Sequence, residues 1–232
     1  VVSFVRSAIG MSPNSLMPVG FEKLIQPRGF ADLLAFLTAR GTYVPMALDK
    51  VATAVSTKGL FHSPDNMGER LVFSEWGPKQ FRGVPFIVVD PLGQSVPNAV
   101  LLHGPRGSVP PTMPKQVSVP LGKAIKALHV LGGVAGWGSR KAGSPGTVSM
   151  IVRFVYADGA TEDHPLVNGQ HIAEYMGRFE VPESEFAFDL EGRQLRYLRI
   201  APKRRDPVKT VEFVKGDDAT APVVMAVTAE MP

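Results

Sequence analysis

The chain has 232 residues, 44% of them hydrophobic, with 23 Gly, 21 Pro and no Cys. That length supports one large domain or two small ones, and the missing cysteine excludes disulfides, thiol chemistry and zinc fingers. A net charge of +4 is only mildly basic, and scattered basic residues argue against a nucleic-acid partner.

The densest basic cluster, Lys203-Arg204-Arg205, is broken at once by Asp206-Pro207 and reads as a solvated loop. No apolar run approaches the ~18 residues needed to cross a bilayer. No basic and apolar leader pattern opens the chain, which reads as a mature, soluble piece of the kind cut from a longer polypeptide.

In chain order, Val1–Val5 is a short strand candidate and Met11–Gln26 is broken up by Pro13, Pro18 and Gly20. Pro27 suits a first helical turn. Phe30, Leu33, Leu34 and Leu37 then fall on one face of a helix, which Gly41 is placed to end. Beyond a boundary near Arg40–Tyr43 the texture turns to short apolar runs: Val51–Thr57, Leu71–Phe73, Val84–Asp90, Ala99–His103, Val117–Val119 and Ala127–Leu131. Thr147–Ala157 is the longest strand and is apolar on both faces, as for a central sandwich strand. Asp158-Gly159 turns it back into a more polar strand, Thr161–Leu166, nearer an edge. Phe186–Leu190 and Gln194–Ile200 form a second hairpin about Glu191-Gly192, and Val211–Val214 and Val223–Thr228 finish the series. About ten short strands without intervening helices predict a mainly β chain, a two-sheet β-sandwich preceded by a short helical segment. The expected domains are residues 1–41 and 42–232.

The residues that suggest chemistry fall in loops. Sugar recognition needs a flat apolar ring for the C–H face of a pyranose and planar polar groups for its hydroxyls. Trp137 lies in the glycine-rich stretch Gly132–Gly138, with Arg140 just after it. Asn168-Gly169-Gln170-His171 is a second polar loop, flanked by Glu162, Asp163 and Tyr175. If the two loops meet at one rim, Trp137, Arg140, Glu162, Asp163, Asn168, His171 and Tyr175 form a carbohydrate site. The preferred reading of Trp137 is nonetheless a plug in the sandwich core, and Trp76 reads as a core or lid aromatic. None of the five histidines makes a metal-binding pair by spacing. His129, between Leu128 and Val130, reads as a hydrogen-bonded interior residue. Glu162, Asp163 and His164 cannot converge on a metal without a bulge, because adjacent strand residues point to opposite faces. No nucleophile elbow or phosphate loop is present, and no acid pair stands out for glycoside hydrolysis.

Two stretches carry family resemblances. Ser15-Leu16-Met17-Pro18 followed by Asp32-Leu33-Leu34-Ala35-Phe36-Leu37 resembles the closing segment of small cytochrome c domains. It is most similar to the haem-binding domains at the C-termini of large bacterial membrane-bound-dehydrogenase-like proteins. The resemblance implies Met17 as an axial haem ligand. This chain has no Cys-x-x-Cys-His, so it cannot attach haem c covalently, and a haem at Met17 would have to come from an upstream segment or another chain. Without one, Met17 is an ordinary gap-filling Met. Phe81-Arg82-Gly83-Val84-Pro85-Phe86, Asp90-Pro91, Leu128-His129-Val130-Leu131-Gly132-Gly133 and the Val155–Gly159 hairpin resemble carbohydrate-binding modules found beside glycoside hydrolase domains. Those are jelly-roll sandwiches of the galactose-binding-like kind. They often hold a structural calcium, for which Asp217-Asp218 or Asp65-Asn66 are the oxygen donors to hand.

Together these resemblances imply a non-catalytic, glycan-binding module of an exported, periplasmic or cell-surface protein of cytochrome c type. The alternative is an electron-transfer subunit that uses Met17 and a redox partner. A sugar-active enzyme with acids in the loops is the third reading.

Overall fold

The computed structural model describes residues 42–137 and 146–232. The helix expected over 30–37, Met17 and Arg140 therefore lie outside the described residues. The described residues form twelve strands: β1 (Tyr43–Met46), β2 (Gly77–Phe81), β3 (Val84–Val88), β4 (Val100–Leu101), β5 (Gln116–Lys123), β6 (Ala127–Ala135), β7 (Val148–Tyr156), β8 (Thr161–Val167), β9 (Glu185–Asp189), β10 (Gln194–Ile200), β11 (Val208–Lys215) and β12 (Ala221–Glu230). The only helical pieces among them are the 3₁₀ turns Met67–Glu69 and Pro110–Thr112. None of the described helical pieces is long and apolar enough to cross a membrane.

Six strands make one sheet in the order β1-β12-β6-β10-β9, with β4 also on β12. Four make a second sheet, β5-β11-β7-β8, and β2 and β3 pair as a separate hairpin. All these strand pairs are antiparallel. The four-stranded sheet has one buried face. On β7, Met150, Val152, Phe154 and Tyr156 are fully buried while Ile151, Arg153 and Val155 are half-buried on the other side. Its edge strands carry Pro120 and Pro165, residues that lack an N–H and discourage further pairing.

The expected two-sheet sandwich gains a third layer. One core joins the facing sheets through Leu128, Val130, Leu198 and Val224 on one side and Val152, Phe154, Val211 and Phe213 on the other. A second core holds Leu131, Leu195, Tyr197 and Val223 against Leu60, Leu71, Phe73, Phe86 and Val88. The six-stranded sheet is thus covered on both faces, which is why β6 and β12 are buried along their whole length. Alternation on β12 changes phase at a bulge between Val224 and Ala226. Val224 and Val227 face the inter-sheet core, and Met225 and Ala226 both face the outer one. Among the described residues the sheets do not close into a barrel.

Two of the expected strands in the third layer are irregular chain. Of Val51–Thr57, only Ala54 makes a bridge, to Ala99, and Leu71–Phe73 makes none. Side chains replace the missing ladder. Asn98 accepts from Ser56 N–H at 2.8 Å and donates to Ser56 Oγ and Val89 O at 3.0 and 2.9 Å. Thr53 Oγ1 donates to Leu101 O at 2.7 Å and accepts from its N–H at 2.8 Å. A strand needs repeated backbone partners, and here buried polar side chains satisfy those groups instead.

Candidate functional site

The glycine-rich stretch before Trp137 is strand, not loop: Gly132 and Gly133 lie inside β6. Both are there for close approach. A Cβ on Gly132 would stand 2.4 Å from Val223 O, and one on Gly133 would stand 3.2 Å from Tyr175 Cβ. Just beyond, β10 stops following β6, its last register pair being Arg196 with Gly132. The segment 173–175 takes over the vacated edge. Val134 N–H donates to Ala173 O, and Tyr175 N–H to Val134 O, each at 2.9 Å. On its other side Gln194 N–H donates to Tyr175 O, and Gln194 Nε2 to Glu174 O, each at 2.8 Å. The segment is thus a wedge between two diverging strands. Tyr175 OH pins it to the outer layer by donating to Glu69 O at 2.8 Å.

The wedge lines a cavity of about 400 Å³ at the end of β6, within the usual range for a small-ligand site. Its apolar wall includes Phe61, Trp137, Tyr175 and Phe179. The Trp137 and Phe179 rings stand 5.0 Å apart at 49°. The expected core role of Trp137 is met as well: it is 4% exposed and belongs to the inter-sheet core. Its indole Nε1 has no acceptor among the described residues.

Four ionisable groups complete the lining: Glu174, Glu69, His62 and Arg106. Glu174 is 5% exposed. Its Oε2 accepts from Trp137 N–H at 2.7 Å and Oε1 accepts weakly from Met176 N–H at 3.4 Å. Burial outweighs these bonds and pushes its titration up to about 7. Glu69 is equally buried but saturated. It accepts from the backbone of Phe61 and His62 at 3.1 and 2.8 Å, from Asn66 Nδ2 at 2.8 Å, and from His62 Nδ1. With a proton on Nδ1, the neutral His62 ring has Nε2 as an acceptor, and its side chain is 73% exposed. Arg106 is exposed at the same mouth.

Of the residues expected from sequence, Trp137 and Tyr175 meet at this cavity. Glu162 and Asp163 do not line it, and each has partners on β8 and its neighbours. Glu162 accepts from Tyr156 OH, from the Lys203 N–H at 2.9 Å and from His164. Burial pushes its carboxyl up, but these bonds more than offset that and hold it below the usual range. Asp163, on the opposite face, takes a bidentate pair from Arg153 at 2.6 and 2.9 Å. The expected divergence of these neighbours is observed. His171 Nδ1 accepts from Val167 N–H at 3.2 Å and closes the 168–171 turn. Asn168 is 1% exposed and donates to Asp218 Oδ2 at 3.1 Å. His129 is interior, between Tyr197 OH at 2.7 Å and Glu230 at 3.3 Å. Arg204, in the basic loop, pairs with Asp158 and Asp206. Trp76 is half-buried, against Phe73, and lines a second, open groove beside Pro45 and Ile87.

Calcium does not fit at Asp218, because its oxygens accept from Ser149, Asn168, Thr220 and Lys215. At the other expected donor pair, Asn66 Oδ1 caps the 3₁₀ turn by accepting from Gly68 N–H at 3.0 Å. Among the described residues no cluster of three His, Asp or Glu could hold a metal ion.

Comparison with protein-family models, curated proteins and solved structures yields no match. The site therefore stands on its own geometry.

Sequence reasoning missed Glu174, Glu69, His62 and Arg106. Two signals were present. Asn66-x-x-Glu69 is a capping pattern, and Glu174 is a lone acid within the otherwise apolar Ile172-Ala173-Glu174-Tyr175-Met176.

Proposed function

We propose that this β-sandwich is a non-catalytic carbohydrate-binding module, of the jelly-roll, galactose-binding-like kind, in an exported bacterial protein. The observation that carries the reading is the cavity at the end of β6, where aromatic rings meet polar groups in one half-open volume. Rings serve the C–H face of a pyranose, and carboxylate, imidazole and guanidinium groups serve its hydroxyls. A cavity of about 400 Å³ suits the end of a glycan chain better than an internal segment, which needs an open groove. The test is a glycan array with wild-type protein and with Arg106→Ala and Met176→Lys, changes at exposed positions of the lining. Binding that both variants weaken supports the reading; no retained glycan overturns it.

A sugar-active enzyme is favoured by one observation: the cavity holds two carboxylates in different surroundings, Glu69 hydrogen-bonded to His62 and Glu174 buried, with its titration pushed up to about 7. A carboxyl raised toward neutral pH suits general acid–base work. Turnover of chromogenic glycosides that Glu174→Gln abolishes would establish it. The electron-transfer reading hangs on Met17, and no feature of the described residues supports it.

A further inference from the structure

Resting on the carbohydrate reading, we propose that the cavity selects an amino sugar, with the free ammonium of the terminal ring seated on Glu174. Three observations converge on a cation. First, Glu174 is buried, and the groups that hydrogen-bond it are backbone N–H groups alone, Trp137 at 2.7 Å and more weakly Met176, with those of Gly136 and Tyr175 beside them. No side chain among the described residues donates to it. Second, no cationic side chain pairs with it among the described residues. Among the described residues the other charges nearby are engaged or peripheral: Glu69 with His62, Arg193 with Gly68 O and Glu191 O, and Arg106 at the exposed mouth. Third, Trp137, Phe179, Phe61 and Tyr175 surround the same volume. Aromatic faces attract an ammonium through the ring quadrupole and repel an anion.

A bound ammonium would supply a counter-charge that no described residue provides. A buried, unpaired carboxylate is costly, and such groups concentrate where a ligand uses them. An N-acetylated sugar loses the charge and gains bulk. A plain hydroxyl keeps the size and loses the charge.

The experiment is calorimetric titration of the full chain, near neutral pH, with three matched oligosaccharides: chitosan (free amines), chitin (the same units N-acetylated) and cellulose (hydroxyl in place of amine). Tetramethylammonium is the fourth probe. Chitosan is expected to bind at least about tenfold more tightly than the other two sugars. Glu174→Gln, with folding checked by circular dichroism, is expected to abolish that preference. The ratio among the three sugars needs no variant, so the test survives if the substitution disturbs folding. Equal binding of all three overturns the amine assignment and leaves the sugar reading intact. Tetramethylammonium binding with no sugar bound overturns the sugar reading and keeps the cation site. Silence from all four overturns both.

Discussion

Replacing Glu174 by Gln isolates the electrostatic cost of the cavity's buried acid. In the unfolded chain this carboxyl ionises near 4.5, and in the folded chain near 7. Between those values the folded protein keeps a proton that the unfolded chain has released, so stability falls as pH rises through the window. A shift of that size corresponds to about 3 kcal/mol, at about 1.4 kcal/mol per pH unit. The penalty is absent below about 4.5 and complete above about 7. Gln keeps the shape and can accept one backbone N–H, but it never ionises. Relative to wild type, Glu174→Gln should therefore gain about 2–3 kcal/mol between pH 5 and pH 8, whatever its offset at pH 5. For a chain of this size that is ~4–12 °C in the difference between the two melting temperatures. The assay is thermal unfolding of both proteins at half-unit pH steps without ligand. Subtraction cancels distant titrations. The groups around the same cavity are His62, Glu69, Tyr175 and Arg106, and repeating the pair in a His62→Gln background removes the imidazole from the comparison. A melting difference that stays constant from pH 5 to pH 8 refutes the reasoning.

Lys215→Met should cost about 3–5 kcal/mol, because it strands Asp218 at a buried position. The Lys215 ammonium donates to Asp218 Oδ1 at 2.9 Å and to Gly216 O and Asp218 O at 2.9 and 2.8 Å. Denaturant unfolding measures the loss, adding Asp218→Asn should recover part of it, and a cost under about 1 kcal/mol would refute the pairing. Arg196 is fully buried and donates to Phe179 O at 2.6 Å and Ser184 Oγ at 2.7 Å. Arg196→Met should cost at least about 2 kcal/mol by orphaning these acceptors. It should also raise hydrogen exchange across residues 179–184, and unchanged protection there would sink the idea. Gly132→Ala puts a Cβ 2.4 Å from a carbonyl oxygen that is part of the sheet. A loss of ~1–3 kcal/mol is expected in unfolding experiments, with a neutral result refuting the close approach.

How far the fold was legible depended on how many faces each strand buries. β7 was readable because its sheet has one half-open face, so Met150, Val152, Phe154 and Tyr156 stand out against Arg153. The Asp158-Gly159 and Glu191-Gly192 turns were readable because positive φ demands such residues; Gly159 and Gly192 sit at +85° and +82°. β6 and β12 look alike on both faces, and the bulge at Met225 breaks even the weak alternation left. Their double burial was the trace of a third layer, but the covering chain around Val51–Thr57 and Leu71–Phe73 has no period from which to recognise it. The cavity was hidden for the same reason. Phe61, Arg106, Trp137 and Glu174 come from four separate stretches, three of them irregular chain crossing the end of one sheet, and no spacing rule connects them.

The wedge at residues 173–175 explains why a cavity persists at this point. Where β6 and β10 part, a sheet would ordinarily expose two rows of unpaired backbone groups. The inserted segment satisfies both, through Val134 on one side and Gln194 on the other, and Tyr175 fixes its depth through Glu69 O. An insertion tied at three points cannot collapse into the gap beside it, and Gly133 lets it pack close against β6. Glu174 is consequently held on a rigid element, which is the condition for preorganised binding. His62 and Arg106 face the same volume from exposed loop chain. Division of labour follows from this arrangement. Changes at the wedge alter the fold and the charge of the site together, whereas changes at Arg106, exposed at the mouth, alter which ligand enters and leave the fold alone. A library randomised at that position should therefore change ligand preference without lowering melting temperature, and a library in which every change of preference came with a loss of stability would contradict a rigid wedge.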